Sequence, residues 1–146
     1  MQGSPNGGFL ISKIKQIQAR VFERLLAGRG GGRFSGAQGR ILYVLWRNDG
    51  IPISRLAEAT GLTKTTLTGQ LDRLESGGYI RRAPDPTDRR KAVIRLTDAA
   101  QTLRPDYDEV SRQMNRLFYR GFTDAEIADF EGKLTRILNN LTGKEE

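Results

Sequence analysis

LTKTTLTGQLDRLESGGYIRR, residues Leu62–Arg82, is followed two residues later by DPTDRRKAVIRLT, Asp85–Thr97. In the first piece Leu67, Leu71 and Leu74 fall on one face of a helix and must pack inward. Thr65, Thr68, Gly69, Asp72 and Arg73 then lie on or near the opposite face. Thr63 has the chemistry of a helix cap, and Gly77-Gly78 ends the segment after Ser76. Upstream, Ser54 is expected to cap a short helix over Arg55–Thr60, and Gly61 supplies the bend. Two short helices joined by about three residues with a glycine between them make a helix-turn-helix. Downstream, Tyr79–Ala83 and Lys91–Leu96 are read as alternating outward basic and inward apolar positions around Pro84, Asp85, Pro86, Thr87 and Asp88, which predicts a hairpin with a polar, basic tip.

Longer helices flank this centre. Leu10, Ile14, Ile17, Val21 and Leu25 recur at helical spacing until Ala27–Gly36, AGRGGGRFSG, where repeated glycine makes further helix costly. That stretch reads as a hinge; an RNA-binding Gly-Arg element is the other reading of GRGGGR, in a single copy. Ser35 and Gln38 form a capping box ahead of Ile41, Leu42, Leu45 and Trp46, a stripe with core character that stops at Asn48-Asp49-Gly50. Beyond Thr97 the apolar positions Leu103, Tyr107, Val110, Met114, Leu117 and Phe118 predict another helix, started or kinked by Pro105. Thr123 and Glu126 box the last one, which carries Ile127, Phe130, Leu134, Ile137, Leu138 and Leu141. The expected fold is mainly α with a small β-hairpin wing, a winged helix-turn-helix joined to a helical dimerisation region.

Composition removes whole classes of chemistry. Among 146 residues there is no Cys and no His, so disulfides, thiolate metal sites, thiol nucleophiles and imidazole bases are excluded. No catalytic residue, metal or cofactor is expected, and Asp106, Asp108 and Glu109 read as a solvated helix face rather than an acid–base group. Neither a long apolar span nor a secretory leader is visible, so a cytoplasmic chain without a membrane partner is expected. The net charge of +7 favours a polyanionic partner. It is unevenly spread: residues 1–53 hold 8 basic and 2 acidic side chains, 54–96 hold 9 and 5, and 97–146 hold 7 and 10. A basic front and an acidic final third point to a polyanion met by one part and association mediated by the other.

A winged helix lays the second helix of its turn motif in the major groove of DNA while the hairpin reaches the adjoining minor groove or backbone. The candidate contacts are Lys64, Thr65, Thr66, Thr68 and Arg73 on the helix and Asp88, Arg89 and Arg90 at the wing tip. Threonine hydroxyls suit phosphates and a thymine methyl, and Lys or Arg suits phosphates or a guanine edge. An arginine at a narrow tip suits the minor groove, with the neighbouring carboxylate keeping the tip in shape.

Over about residues 9–142 the chain resembles the MarR family of winged-helix transcriptional regulators, on the strength of TTLTGQLDRLESGGYIRR and DPTDRRKAVIRLT. Asp88 and Arg90 fall on that family's Asp-x-Arg wing pattern, ahead of a strand ending in Leu-Thr. The resemblance implies one unit spanning 1–146, with 37–97 as the DNA-binding winged part and 9–28 and 98–142 interlocking two copies. It also implies a homodimer on a pseudo-palindromic double-stranded DNA operator, half-sites about 34–36 Å apart, acting as a repressor and released by a small anionic or phenolic effector. Release by cysteine oxidation is impossible in this chain. Arg20, Arg24, Tyr43 and Arg116 are candidates for an effector cleft, none of them assigned. Gly69 replaces the long basic residue common in relatives, and Asp98-Ala99-Ala100 stands where many have glycine. The rival reading is a winged-helix module for protein or RNA interaction without operator specificity.

Overall fold

The computed structural model describes residues 3–29 and 34–144; the middle of the proposed glycine hinge, 30–33, lies outside them. In chain order the elements are α1 (Gly7–Ala27), α2 (Gly36–Arg47), β1 (Ile51–Pro52), α3 (Ile53–Thr60), α4 (Lys64–Ser76), β2 (Ile80–Pro84), β3 (Ala92–Leu96), α5 (Asp98–Phe118) and α6 (Asp124–Thr142). The chain divides into two compact units, Met1–Ser111 and Arg112–Glu146. No described helix is long and apolar enough to cross a membrane.

The first unit is organised around Ile41, Leu42, Leu45, Leu56, Leu67, Leu71 and Leu74, contributed by α2, α3 and α4 and buried almost completely. Ile80, Ile94 and Leu96 close this core from the sheet, and Ala100, Tyr107 and Val110 close it from α5. Trp46 is a core residue, as its stripe predicts; its indole N–H donates to the Ala100 carbonyl at 3.2 Å. Its ring lies 5.0 Å from that of Tyr107. From α1 only Leu26 is buried, with Phe22 and Leu25 packed against the core.

Local chemistry explains most element boundaries. Ser35 and Gln38 make the reciprocal capping box at α2, and Thr123 and Glu126 make the one at α6. Between α3 and α4 the chain turns through Gly61 at φ +71°, a left-handed conformation that a side chain would strain. Thr60, the buried polar residue of the core, uses its hydroxyl to donate to the Leu56 carbonyl at 2.7 Å.

Four expectations are corrected. Ser54 does not cap α3: the helix already starts at Ile53, with Pro52 at its N-cap position and no side-chain cap bond. Ile51 and Pro52 form a third strand, pairing antiparallel with Ile94 and Val93 in the order β1-β3-β2. That second neighbour makes β3 central, so Val93 and Ile94 are both buried and its alternation is lost. On β2 the two arginines cannot both point outward, because successive strand residues face opposite sides; Arg82 shares the face of buried Ile80 and is half-buried. Finally, α5 begins at Asp98 and runs through Pro105, which therefore does not start it.

The second unit is a helical turn-around held by aromatic contacts. Tyr119 packs edge-on against Phe118, Phe122 and Phe130, with ring centroids 4.9, 5.8 and 6.2 Å apart. The Tyr119 hydroxyl donates to Glu131 at 2.6 Å, and that bond to an anionic acceptor holds the phenol's pKa up at about 12.

The end of β3 depends on one carboxylate from the α2–β1 turn: Asp49 Oδ1 accepts from the Leu96 backbone N–H at 2.9 Å. Replacing Asp49 with Ala orphans that donor, so Asp49→Ala is expected to lower unfolding stability by about 1–3 kcal/mol. Asp49→Asn, which keeps the acceptor, is expected to lose less than half as much, as read by urea denaturation followed by circular dichroism.

Candidate nucleic-acid interface

Burial of Leu67, Leu71 and Leu74 sets the rotation of α4 about its axis. Lys64, Thr65, Thr66, Thr68, Gly69, Asp72 and Arg73 are all exposed as a result. Thr63 caps the helix, its hydroxyl oxygen accepting from the Thr66 backbone N–H at 3.2 Å. The same hydroxyl donates to the Thr66 side-chain oxygen at 3.0 Å, so Thr66 belongs to the cap as well as to the exposed first turn. The remaining amides of that turn give the helix start its attraction for anions.

The wing tip is built from two short aspartate turns. Asp85 Oδ1 accepts from both the backbone N–H and the hydroxyl of Thr87, each at 2.9 Å. Asp88 Oδ1 accepts from the Arg90 backbone N–H at 3.1 Å and from its Nε at 3.2 Å. Main-chain bonds from Asp85 to the Lys91 carbonyl and from Lys91 to the Asp88 carbonyl, each 3.0 Å, close the loop. Such turns let a short polar side chain stand in for backbone pairing. The Arg90 side chain stays 91% exposed even while paired, whereas that of Asp88 is 28% exposed. The carboxylate thus shapes the tip and the guanidinium is presented outward. Arg89 and Lys91 are exposed beside it.

Where β2 leaves α4, the two parts are tied by ions. Arg82 pairs through one guanidinium nitrogen with Asp72 at 2.8 Å and through the other with Glu75 at 2.5 Å. Its backbone N–H donates to the second oxygen of Glu75 at 3.1 Å.

This arrangement, a short helix-turn-helix followed directly by a cation-tipped hairpin, is matched by known proteins. The family model described as MarR family matches residues 34–92, from just before α2 to the first residue of β3. The HTH-type transcriptional regulator TtmR of Methylorubrum extorquens is 38% identical over 100 residues, 68% of this chain and 50% of that protein. The match thus spans half the length of that relative. Among solved structures, a mutant MarR from E. coli complexed with operator DNA superposes with a TM-score of 0.76 at 25% identity, covering 90% of this chain and 92% of that one. The chain belongs to the MarR family. The PcaV transcriptional regulator of Streptomyces coelicolor, solved with its natural ligand, has the same fold, with a TM-score of 0.79 at 21% identity over 95% of this chain and 98% of the other.

Within this MarR-family winged helix, sequence reasoning located the exposed face of α4 and the tip pair Asp88–Arg90. It missed two contributors. The sequence alone gives Asp85 as turn composition, although Asp-x-Thr and Asp-x-Arg repeat the same side chain-to-backbone spacing of two residues. The alternation read from the sequence makes Arg82 an outward cation, although its parity with Ile80 on the strand carries the opposite message. Tyr43, considered for an effector cleft, is exposed and lies under the Arg47 guanidinium, 3.6 Å from the ring centroid.

The bonds from Arg90, side chain first and backbone second, lower the Asp88 carboxyl below its ordinary value of 3.8. A carboxyl depressed in the folded state contributes stability above its unfolded value, and that contribution is lost as pH falls through the lowered folded value. Arg90→Ala removes the larger cause. The Asp88 carboxyl resonance, followed by NMR titration, is expected to shift its midpoint upward toward 3.8 while remaining slightly low because the backbone bond persists. An unchanged midpoint contradicts the assigned cause.

Proposed function

We propose that this MarR-family chain is a transcriptional repressor that binds a pseudo-palindromic duplex operator as a homodimer and does no chemistry on it. One observation carries the reading. A nearly fully exposed arginine, Arg90, is held in place by Asp88 at the tip of a wing that follows directly on a helix whose outward face is Lys64, Thr65, Thr68 and Arg73. Cations displayed on a shaped tip beside a helix of short polar side chains match the two halves of duplex recognition, phosphate positioning and groove contact. On this reading Lys64, Thr65, Thr66, Thr68, Arg73 and Arg89 contact DNA together with Arg90, and Asp88 shapes the tip.

Pairing of two copies is supported by apolar surface left uncovered on each unit. Phe9, Leu10, Ile11, Ile14 and Ile17 on α1 are all more than 40% exposed, as are Ile137, Leu138 and Leu141 on α6. No described residue of α6 is buried. Side chains of this size left in water forgo about 1.5–3 kcal/mol each relative to burial, so a second copy of the same helices is the natural cover. Release by a small anionic or phenolic effector is part of the proposal. It rests on the family and on the structure solution of PcaV with its natural ligand.

Selecting bound fragments from random duplex DNA tests the reading, because symmetry and half-site spacing emerge together with the sequence. Two half-sites separated by about 34–36 Å are expected. Affinity for the selected site is expected to fall with salt with a log–log slope near −0.9 per phosphate contact. Arg90→Ala is expected to weaken binding by roughly tenfold or more with unchanged circular dichroism, and light scattering is expected to give twice the chain mass. Parental affinity in Arg90→Ala, or preference for single-stranded RNA over duplex in competition, overturns it; RNA preference favours an interaction module of the other kind.

A further inference from the structure

Asp72 and Glu75 place two negative charges on the helix that, under the proposed function, approaches a polyanion. Neither is free. Both are engaged by Arg82 of β2, whose side chain is 28% exposed, against 91% for Arg90 at the tip. The fork of Arg82 spans two carboxylates one helical turn apart, and Glu75 in turn grips both the side chain and the backbone N–H of Arg82. A planar guanidinium bridging two acceptors fixes orientation as well as distance, which a single ammonium cannot do.

Its place in the fold gives this contact leverage. Arg82 sits opposite Ile94, midway along the paired strands of the hairpin, while Asp88 and Arg90 lie beyond the last paired residues Pro84 and Ala92. Strands advance about 3.3 Å per residue, so the tip stands on the order of 15 Å from the contact. A rotation of only ~5° about that contact therefore displaces the tip by more than about 1 Å, on the scale that separates a groove contact from a missed one.

We propose that Arg82 is a positioning residue for duplex binding: by clasping Asp72 and Glu75 it sets the pitch of the wing against α4. The proposal rests on the duplex-binding function given above. Arg82 touches no phosphate in it; its guanidinium is already committed to two carboxylates.

The test compares the full-length parent with Arg82→Ala, Arg82→Lys and the double variant Asp72→Asn/Glu75→Gln, each with and without Arg90→Ala. Binding is measured to a duplex selected by the parent, at one physiological salt concentration, with thermal midpoints by circular dichroism as the check on folding. Removing two negative charges from a phosphate-facing surface by itself tightens binding. The clasp predicts the reverse: the carboxamide variant, isosteric and exposed enough to keep the fold, binds about tenfold more weakly, as does Arg82→Ala. Arg82→Lys is expected to fall between these and the parent. In the Arg90→Ala background the losses are expected to shrink to about twofold or less, because a displaced tip then has little left to lose. Binding by the carboxamide variant as tight as the parent's or tighter overturns the clasp, and so does a full-sized Arg82→Ala loss in the Arg90→Ala background. A parent that selects no duplex at all overturns the functional reading, and the clasp with it; a parent that binds beside equally competent variants overturns the clasp alone.

Discussion

The rotational setting of α4 is the constraint on which the rest of the structure depends. A helix advances about 100° per residue, so once Leu67, Leu71 and Leu74 are buried against α2, α3 and the sheet, every other side chain of the segment has an assigned direction. The polar face is then Lys64, Thr65, Thr68, Gly69, Asp72 and Arg73 without further instruction. Burial of three leucines is worth several kcal/mol, far more than any preference among the exposed side chains. Core packing therefore dictates what the surface displays, and the Thr63 cap and the Gly61 bend only mark where the display begins.

Charge is the second layer, and the structure sorts like residues into unlike tasks. Arg82 and Arg90 are eight positions apart in one hairpin. The former is turned onto α4 and paired with two carboxylates, while the latter projects from a tip that a single carboxylate shapes. What separates them is strand parity and distance from the core: position 82 shares its face with Ile80, and position 90 lies beyond the last paired residue. A net charge of +7 therefore overstates some cations and understates others. The cations at the tip are left exposed, while the acids Asp72 and Glu75 of α4 are paired with Arg82.

Much of this was legible in the order of residues because the signals are local. Capping at Ser35, Thr63 and Thr123, the glycine bend at 61 and the apolar periodicities each depend on neighbours within one or two turns, and the structure realises them. The misreadings share the opposite property. Ile51-Pro52 becomes a strand only because Ile94 and Val93 arrive from more than forty residues away, and that same pairing erases the alternation of β3. Pro105 sits inside α5, where tertiary packing of Tyr107 and Val110 holds the helix across it despite the missing donor. The Arg82 contacts join positions seven and ten apart through a turn, a spacing that no helical or strand period advertises. The exposed candidates on α4 and at the tip are announced by composition, whereas the contacts that Asp85 and Arg82 make have no composition of their own.

The terminal helices bring the two layers together. Among the described residues, Phe9, Leu10, Ile11, Ile14 and Ile17 of α1 and Ile137, Leu138 and Leu141 of α6 leave much of their apolar surface exposed. An isolated amphipathic helix is marginal in water and gains its stability from packing, so on the proposed pairing these helices order fully when two chains associate. Association would then do more than bury surface. A single winged unit reaches one short stretch of duplex, whereas a second unit delivered by the same dimer binds at an effective concentration in the millimolar range with no new kind of contact. Specific affinity would arise from geometry, from how rigidly the helices hold two copies of the α4 face and how rigidly each wing is held to its helix. Residues that touch no base would thus govern how well the bases are read.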